Sequence, residues 1–161
     1  YNSRELIYLK KKYKFKNTKN FYMVGGMGHT MSVALGYSLS TKQKTICIDG
    51  DGSLLMHLGG IKTLANFAKN NLKYILLNNN LHDSVGQQST FSKNVNFNKF
   101  SKSLGFKKFY IVRDKINLKK KLKNFIDDKG LSFMEVRVST SKIKNLPRPD
   151  NLIKIKDQFM N

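Results

Sequence analysis

Acidic side chains are scarce in this chain: ten Asp and Glu among 161 residues, against thirty Lys and Arg, and only two of the ten are glutamates. Cysteine is scarcer still. The single one, Cys47, excludes a disulfide framework and a cysteine metal cluster, and its place within an apolar strand pattern reads as a buried small hydrophobe. Long apolar runs are missing too, so no stretch reaches the length a bilayer-crossing helix needs. No signal-like apolar segment follows a basic start, and the chain opens on Tyr1 in place of Met, which reads as a cytoplasmic piece of a longer polypeptide.

The net charge of +20 invites a nucleic-acid reading, since clustered cations gain affinity by displacing counterions from phosphates. Two features weigh against it. The cations are 26 lysines and four arginines, whereas phosphate and base recognition favours the planar arginine fork. The lysines are also spread over the whole length. In the densest run, "NLKKKLKNFIDDKG", the apolar residues Leu118, Leu122, Phe125 and Ile126 recur at helical spacing, which makes the lysines a solvated face. The chain is therefore expected to bind neither nucleic acid nor membrane, with a basic nucleotide- or nucleic-acid-binding module as the rival from another class.

What is present alternates. "NSRELIYLKKKYK" reads as a helix capped by Asn2 or Ser3, "FYMV" as a short strand, and "GGMGHTMSVALGYSLS" as a glycine turn entering a helix. "KTICID" is a strand, "GSLLMHLGGIKTLANFAKN" a helix, and "KYILLNN" a strand whose unbroken apolar run suits a parallel strand covered on both faces. A polar loop from Asn80 to about Asn94 follows, then a helix near "FNKFSKSLG", strand "KFYIV", the lysine-rich helix and strand "SFMEVRV". This order predicts a single α/β domain over residues 1–161, doubly wound around a mainly parallel sheet of about six strands with helices on both faces, and a tail from Ser139.

Ligands in such sheets gather beyond the carboxyl ends of the strands. Three segments are expected there: Gly25 to Thr30, Asp49 to Ser53, and Asn78 to Gly86. Taken alone, "GDG" at Gly50, Asp51 and Gly52 reads two ways: as a tight turn whose aspartate caps a helix, or as a turn whose amides meet a diphosphate while the carboxylate holds a divalent cation. Asn79 lies 28 positions beyond Asp51, one helix plus one strand, so the crossover returns it to the same rim. A carboxylate and an amide oxygen, joined by a backbone carbonyl and diphosphate oxygens, make an all-oxygen site for Mg²⁺.

"GDG" followed by "NN" at this spacing resembles the signature of thiamine diphosphate enzymes. Together with "GGMGH", "LLNNNLHDSVGQQST", "LPRP" and the early "SREL", it resembles the cofactor-diphosphate domain of the thiamine diphosphate-dependent decarboxylases, nearest the phosphonopyruvate decarboxylases, with sulfopyruvate decarboxylases and acetolactate synthase more distant. The resemblance implies Asp51, Asn79 and the Leu81 carbonyl as Mg²⁺ ligands, and Gly50, Gly52 and Ser53 along the diphosphate, with the amides of the last two facing it. In the glycine turn it implies contacts to the cofactor from Gly26, Met27, Gly28 and His29. Met27 would prop the cofactor into its bent shape, with a core methionine as the other reading. Asn80 and Gln87 depart from the pattern, standing where relatives carry glycine, and Asn80 is expected to take up the left-handed conformation that asparagine tolerates.

Of the histidines, His57 reads as structural, while His82, beside the proposed carbonyl ligand, reads either as a structural group or as a catalytic proton donor or anion-binding group. The family scheme needs a glutamate at the aminopyrimidine ring. Glu5 and Glu135 are expected to lie off the glycine rim, so a pyrimidine-binding domain or subunit would supply that acid, in an oligomer acting on a small anionic 2-oxoacid. The implied activity is decarboxylation of 3-phosphonopyruvate to phosphonoacetaldehyde and CO₂, with sulfopyruvate as the alternative substrate.

Overall fold

The computed structural model describes residues 2–15, 19–140 and 143–160. Its contacts gather into two compact units, residues 27–140 and a second made of residues 1–26 with 141–161. In the larger unit the chain runs α2 (Thr30–Ser40), β1 (Thr45–Gly50), α3 (Asp51–Met56), α4 (Leu58–Phe67), β2 (Leu72–Asn78), a short 3₁₀ turn (Ser92–Asn94), α5 (Phe97–Leu104), β3 (Lys108–Val112), α6 (Leu118–Asp127) and β4 (Ser132–Arg137). The smaller unit holds α1 (Asn2–Tyr13) and α7 (Leu152–Met160), the latter formed by the weakly amphipathic end of the tail.

The four strands are all parallel, in the order β1-β2-β4-β3. Alternation along each strand splits the core in two. One side carries Cys47, Tyr74, Leu76 and Phe133 of the strands against Met31 of α2, Leu54 of α3, Ile61 and Leu64 of α4, and Phe97 of α5. The other carries Ile75, Val112 and Met134 against Phe125 of α6, with Leu118, Leu122 and Ile126 of the same helix packed around it. The helix spacing read in "NLKKKLKNFIDDKG" is thus the packed stripe. β2, central and flanked on both faces, buries six of its seven residues, which is why its sequence lacks alternation. Phe133 centres the larger core, its ring within 6.2 Å of those of Tyr74, Phe97, Phe106 and Phe109.

At the amino ends of the strands, Lys73 is buried and donates to the carbonyls of Asp128 and Gly130, each at 2.7 Å. Burial holds its ammonium below the usual lysine range. Asp128 beside it accepts from Lys108, Tyr110 and Ser132. Burial opposes its charge, but these bonds outweigh it and hold the carboxyl below the usual carboxylate range.

Three expectations change. The sheet has four strands among the described residues, where about six were expected. "FYMV" is not one of them: residues 21–24 find no neighbouring strand to ladder with, and Phe21 instead packs its ring 5.5 Å from that of Phe159 in α7. The helix expected to run on from Gly52 breaks at His57, whose backbone (φ −141°, ψ 60°) leaves the helical region and turns its ring onto Gly28. No helix among the described residues is long and apolar enough to cross a membrane.

Candidate functional site

Parallel pairing brings the site together. β1 and β2 run in register with Asp49 beside Leu76 and Gly50 beside Leu77, so the residues leaving their carboxyl ends, Asp51 and Asn78–Asn79, emerge at one rim. The two acids bracketing Gly50 then part. Asp49 points into the core, where its carboxylate accepts from Tyr74 Oη (3.1 Å) and the Gly50 amide (3.0 Å). Burial raises its pKa, and the bonds from Ser53, Gly50 and Tyr74 only moderate the rise.

Asp51, half a turn on, is 2% exposed and tied to the loop that follows β2. Its Oδ2 accepts from Thr90 Oγ1 at 2.5 Å and from Ser92 Oγ at 2.9 Å. Both are charge-assisted bonds, and they occupy that oxygen. Oδ1 receives no hydrogen bond from the described residues. Ser92 Oγ also lies 2.9 Å from Asn78 Oδ1 and 2.8 Å from the Asn80 side-chain amide. One hydroxyl has one proton. It can serve only one of Asp51 Oδ2, Asn78 Oδ1 and Asn80 Oδ1 at a time, and Asn78 Oδ1 is also served by the Asn80 backbone N–H at 3.1 Å.

Asn79 closes the other side. Its Nδ2 donates to Asp83 Oδ2 at 2.7 Å, and its Oδ1 accepts from the Leu81 amide at 3.0 Å. Leu81 bridges Ser89 in the antiparallel sense, but the bonds pass through the neighbours, Thr90 N to Asn80 O (3.1 Å) and His82 N to Gln88 O (2.8 Å). The Leu81 carbonyl is left outside the ladder. Asn80 (φ +62°) and Gln87 (φ +61°) both take the left-handed conformation, which accounts for the two positions where relatives were expected to carry glycine.

The glycine turn meets the rim through α3. Gly28, at φ +86°, donates its amide to Ser53 Oγ at 2.9 Å and accepts from His57 Nδ1 at 3.2 Å, and a Cβ on it would lie 2.9 Å from that of His57. His57 thus has the structural role read for it. The His29 ring lies 4.8 Å from the His57 ring, tilted 47° to it, and approaches the Met27 carbonyl at 3.2 Å. Met27 is half-buried; Gly26 lies in the smaller unit. Across α3, the His82 ring covers Gly52 so closely that a Cβ there would lie 2.5 Å from Nδ1.

One expectation needs correction: Glu135 comes closer to the rim than its strand position suggested. It is buried on β4, and its Oε1 accepts from Asn78 Nδ2 (2.9 Å) and Arg137 Nε (3.1 Å), bracing the residue next to Asn79. Thr90, Ser92 and Asp83 as partners of Asp51 and Asn79 escaped the sequence reading; the hydroxyl-rich "STFS" was the available signal, and nothing in it names Asp51 as the target.

The donor set can be tested for fit. No cluster of three or more His, Cys, Asp or Glu among the described residues is arranged for a metal. The oxygens available to a cation here include Asp51 Oδ1, the Asn79 amide oxygen and the Leu81 carbonyl, and an all-oxygen set suits Mg²⁺. His82 Nδ1 and Asp83 Oδ1 are buried beside them and find no hydrogen-bond partner among the described residues.

The sequence model described as thiamine pyrophosphate enzyme, C-terminal TPP binding domain, matches residues 6–136. Phosphonopyruvate decarboxylase of Streptomyces viridochromogenes is 32% identical over 131 residues, 81% of this chain and 33% of that one. Sulfopyruvate decarboxylase subunit beta of Methanococcus maripaludis is 31% identical over 145 residues, 89% of this chain and 77% of that one, and its counterpart in Methanocaldococcus jannaschii is 38% identical over 104 residues, 64% and 53%. The sulfopyruvate enzymes therefore stand beside the phosphonopyruvate enzymes and not behind them. This chain spans about a third of the length of the phosphonopyruvate decarboxylases it matches. An X-ray structure from Mycobacterium smegmatis, described as thiamin diphosphate-dependent, aligns with TM-score 0.57 at 20% identity over 73% of this chain and 23% of that one, a likeness of fold. With its rim geometry and the match over residues 6–136, the chain belongs to the thiamine pyrophosphate enzymes, as their C-terminal cofactor-binding domain.

Proposed function

We propose that this chain is the diphosphate- and Mg²⁺-binding part of a 2-oxoacid decarboxylase that uses thiamine diphosphate, with 3-phosphonopyruvate as substrate. The observation that carries the reading is the pairing at the rim: Asp51 and Asn79 leave adjacent parallel strands, and the hydrogen bonds around Asp51 leave one of its carboxylate oxygens open. Asp51 Oδ1, Asn79 Oδ1 and the Leu81 carbonyl would hold the cation. The Gly52 and Ser53 amides would meet the diphosphate, lined by Gly50 and by Gly28 and His29 of the glycine turn, and Met27 would support the cofactor's bend.

Bound thiamine diphosphate supplies an electron sink for the pair released with CO₂. The chain itself orients the cofactor and balances charge. His82, its Nδ1 buried and unpartnered next to Gly52, is the chain's candidate for holding a proton or an anionic group at this rim. The excess of lysine favours arrival of an anionic 2-oxoacid. Both glutamates are accounted for, Glu5 on α1 and Glu135 bonded to Asn78 and Arg137, so the acid that activates the aminopyrimidine would come from a pyrimidine-binding domain or subunit in an oligomer. Sulfopyruvate is the second reading, favoured by a beta subunit of comparable length among the relatives.

The test is thermal unfolding with thiamine diphosphate and Mg²⁺ together. A rise in melting temperature in the wild type that is lost in Asp51→Ala supports the reading; equal behaviour of the two proteins removes it, and salt-sensitive binding of random DNA without a cofactor response would favour the basic module. Turnover of 3-phosphonopyruvate against sulfopyruvate, assayed with a pyrimidine-binding partner, separates the substrates, and turnover by this chain alone would refute the divided site.

A further inference from the structure

We infer that Asp83 is a positioning residue of this cation site, an inference that rests on the reading above. A side-chain amide can offer a cation either its oxygen or its NH₂, and only the oxygen binds. What decides between them at Asn79 is its neighbour. A carboxylate only accepts, so the 2.7 Å bond from Asn79 Nδ2 to Asp83 Oδ2 draws the NH₂ to the Asp83 side and leaves Oδ1 as the coordinating end. Leu81 N, donating to that same Oδ1 at 3.0 Å, holds it in the turn that carries the Leu81 carbonyl. Two proposed ligand oxygens are thereby set by one short segment, Asn79 to Asp83.

A second observation points the same way. Asp83 Oδ1 is buried and has no hydrogen-bond partner among the described residues, next in sequence to His82 Nδ1 in the same condition. Buried polar atoms in folded proteins are nearly always satisfied, and an orphan acceptor one hydrogen bond from Asn79 is what a hydrated cation would complete. Backbone bonds brace the segment, since His82 N donates to Gln88 O, and His82 O accepts from Val85 N and Gln87 N. Asp83 acts through Asn79 and is not assigned contact with the reacting atoms.

The experiment titrates Mg²⁺ into the full chain at saturating thiamine diphosphate and reads the Mg²⁺ midpoint of thermal stabilisation for wild type, Asp83→Ala, Asp83→Asn and Asp51→Ala. Loss of an orienting partner raises the midpoint about 10- to 100-fold in Asp83→Ala. Asp83→Asn keeps an oxygen to accept from Asn79 but offers an NH₂ in place of Oδ1, so its midpoint falls between those of wild type and Asp83→Ala. A wild-type midpoint in Asp83→Ala overturns the role of Asp83 while the cation site stands. Equal losses in Asp83→Ala and Asp83→Asn overturn orientation in favour of bare charge. A wild type that responds no better than Asp51→Ala overturns the site itself, and this inference with it.

Discussion

The Ser92 hydroxyl lies 2.9 Å from Asp51 Oδ2 across 41 positions of sequence. That bond, with the Thr90 hydroxyl on the same oxygen, fastens the loop after β2 onto the turn after β1. The two hydroxyls fix the direction of a buried carboxylate, and the proposed cation site depends on that direction.

Removing the fastening should therefore weaken cation binding before it unfolds the protein. Thr90→Val and Ser92→Ala are each expected to raise the Mg²⁺ midpoint of cofactor-dependent stabilisation by about 10-fold or more. Ser92→Ala also leaves Asn80 without its partner, so it should cost about 1–3 kcal/mol in urea unfolding without cofactor. A Ser92→Ala protein with wild-type Mg²⁺ response would show that the bond does not orient Asp51.

The two aspartates around Gly50 should respond differently to amidation. Asp51→Asn is expected to abolish Mg²⁺-dependent stabilisation, and Asp49→Asn to keep it, since Asp49 faces Tyr74 and the core. Their pH dependence differs as well. The folded pKa of Asp49 lies above its unfolded value, so its contribution is fully present below the ordinary carboxylate pKa of about 3.9 and is lost as pH rises through the folded value. Asp49→Asn carries no such loss, so its stability relative to wild type should increase from about pH 3 to about pH 7 in urea unfolding. A difference that stays flat with pH would count against a buried, charged Asp49.

Gly52 and His82 should be energetically coupled. Gly52→Ala drives a methyl group into the imidazole, so either the ring or the loop after Asn79 must move. The expected cost is about 1–3 kcal/mol. His82→Ala opens that space, and in the double variant the methyl should cost less, giving a coupling of about 0.5–3 kcal/mol in a double-mutant cycle. Additive effects would mean that the ring does not rest on Gly52.

The elements legible in advance were those whose sequence pattern reports on the environment directly. The continuous apolar run of β2 announced burial on both faces, and the four-residue rhythm of Leu118, Leu122 and Ile126 announced the packed stripe of α6. "FYMV" carried the same kind of local signal and failed, because a strand exists only where a neighbour supplies its hydrogen bonds, and none of the described residues does so for residues 21–24. His57 shows the same limit from the other side. Its helical surroundings predict continuity, but its backbone leaves the helical region there and its ring meets the carbonyl of the distant Gly28.

At the site, residue chemistry was legible and partnership was not. Asp51 and Asn79 could be placed on one rim from residue type and spacing, and the left-handed Asn80 followed from the family resemblance, because oxygen donors and glycine-like dihedrals are properties of the chain itself. Which oxygen of Asp51 stays open, which end of the Asn79 amide points outward, and that Glu135 braces Asn78 were decided by the parallel register and by the loop folding back. Hydrogen-bond direction depends on where a second group lies in space, and only the packed strands set that position.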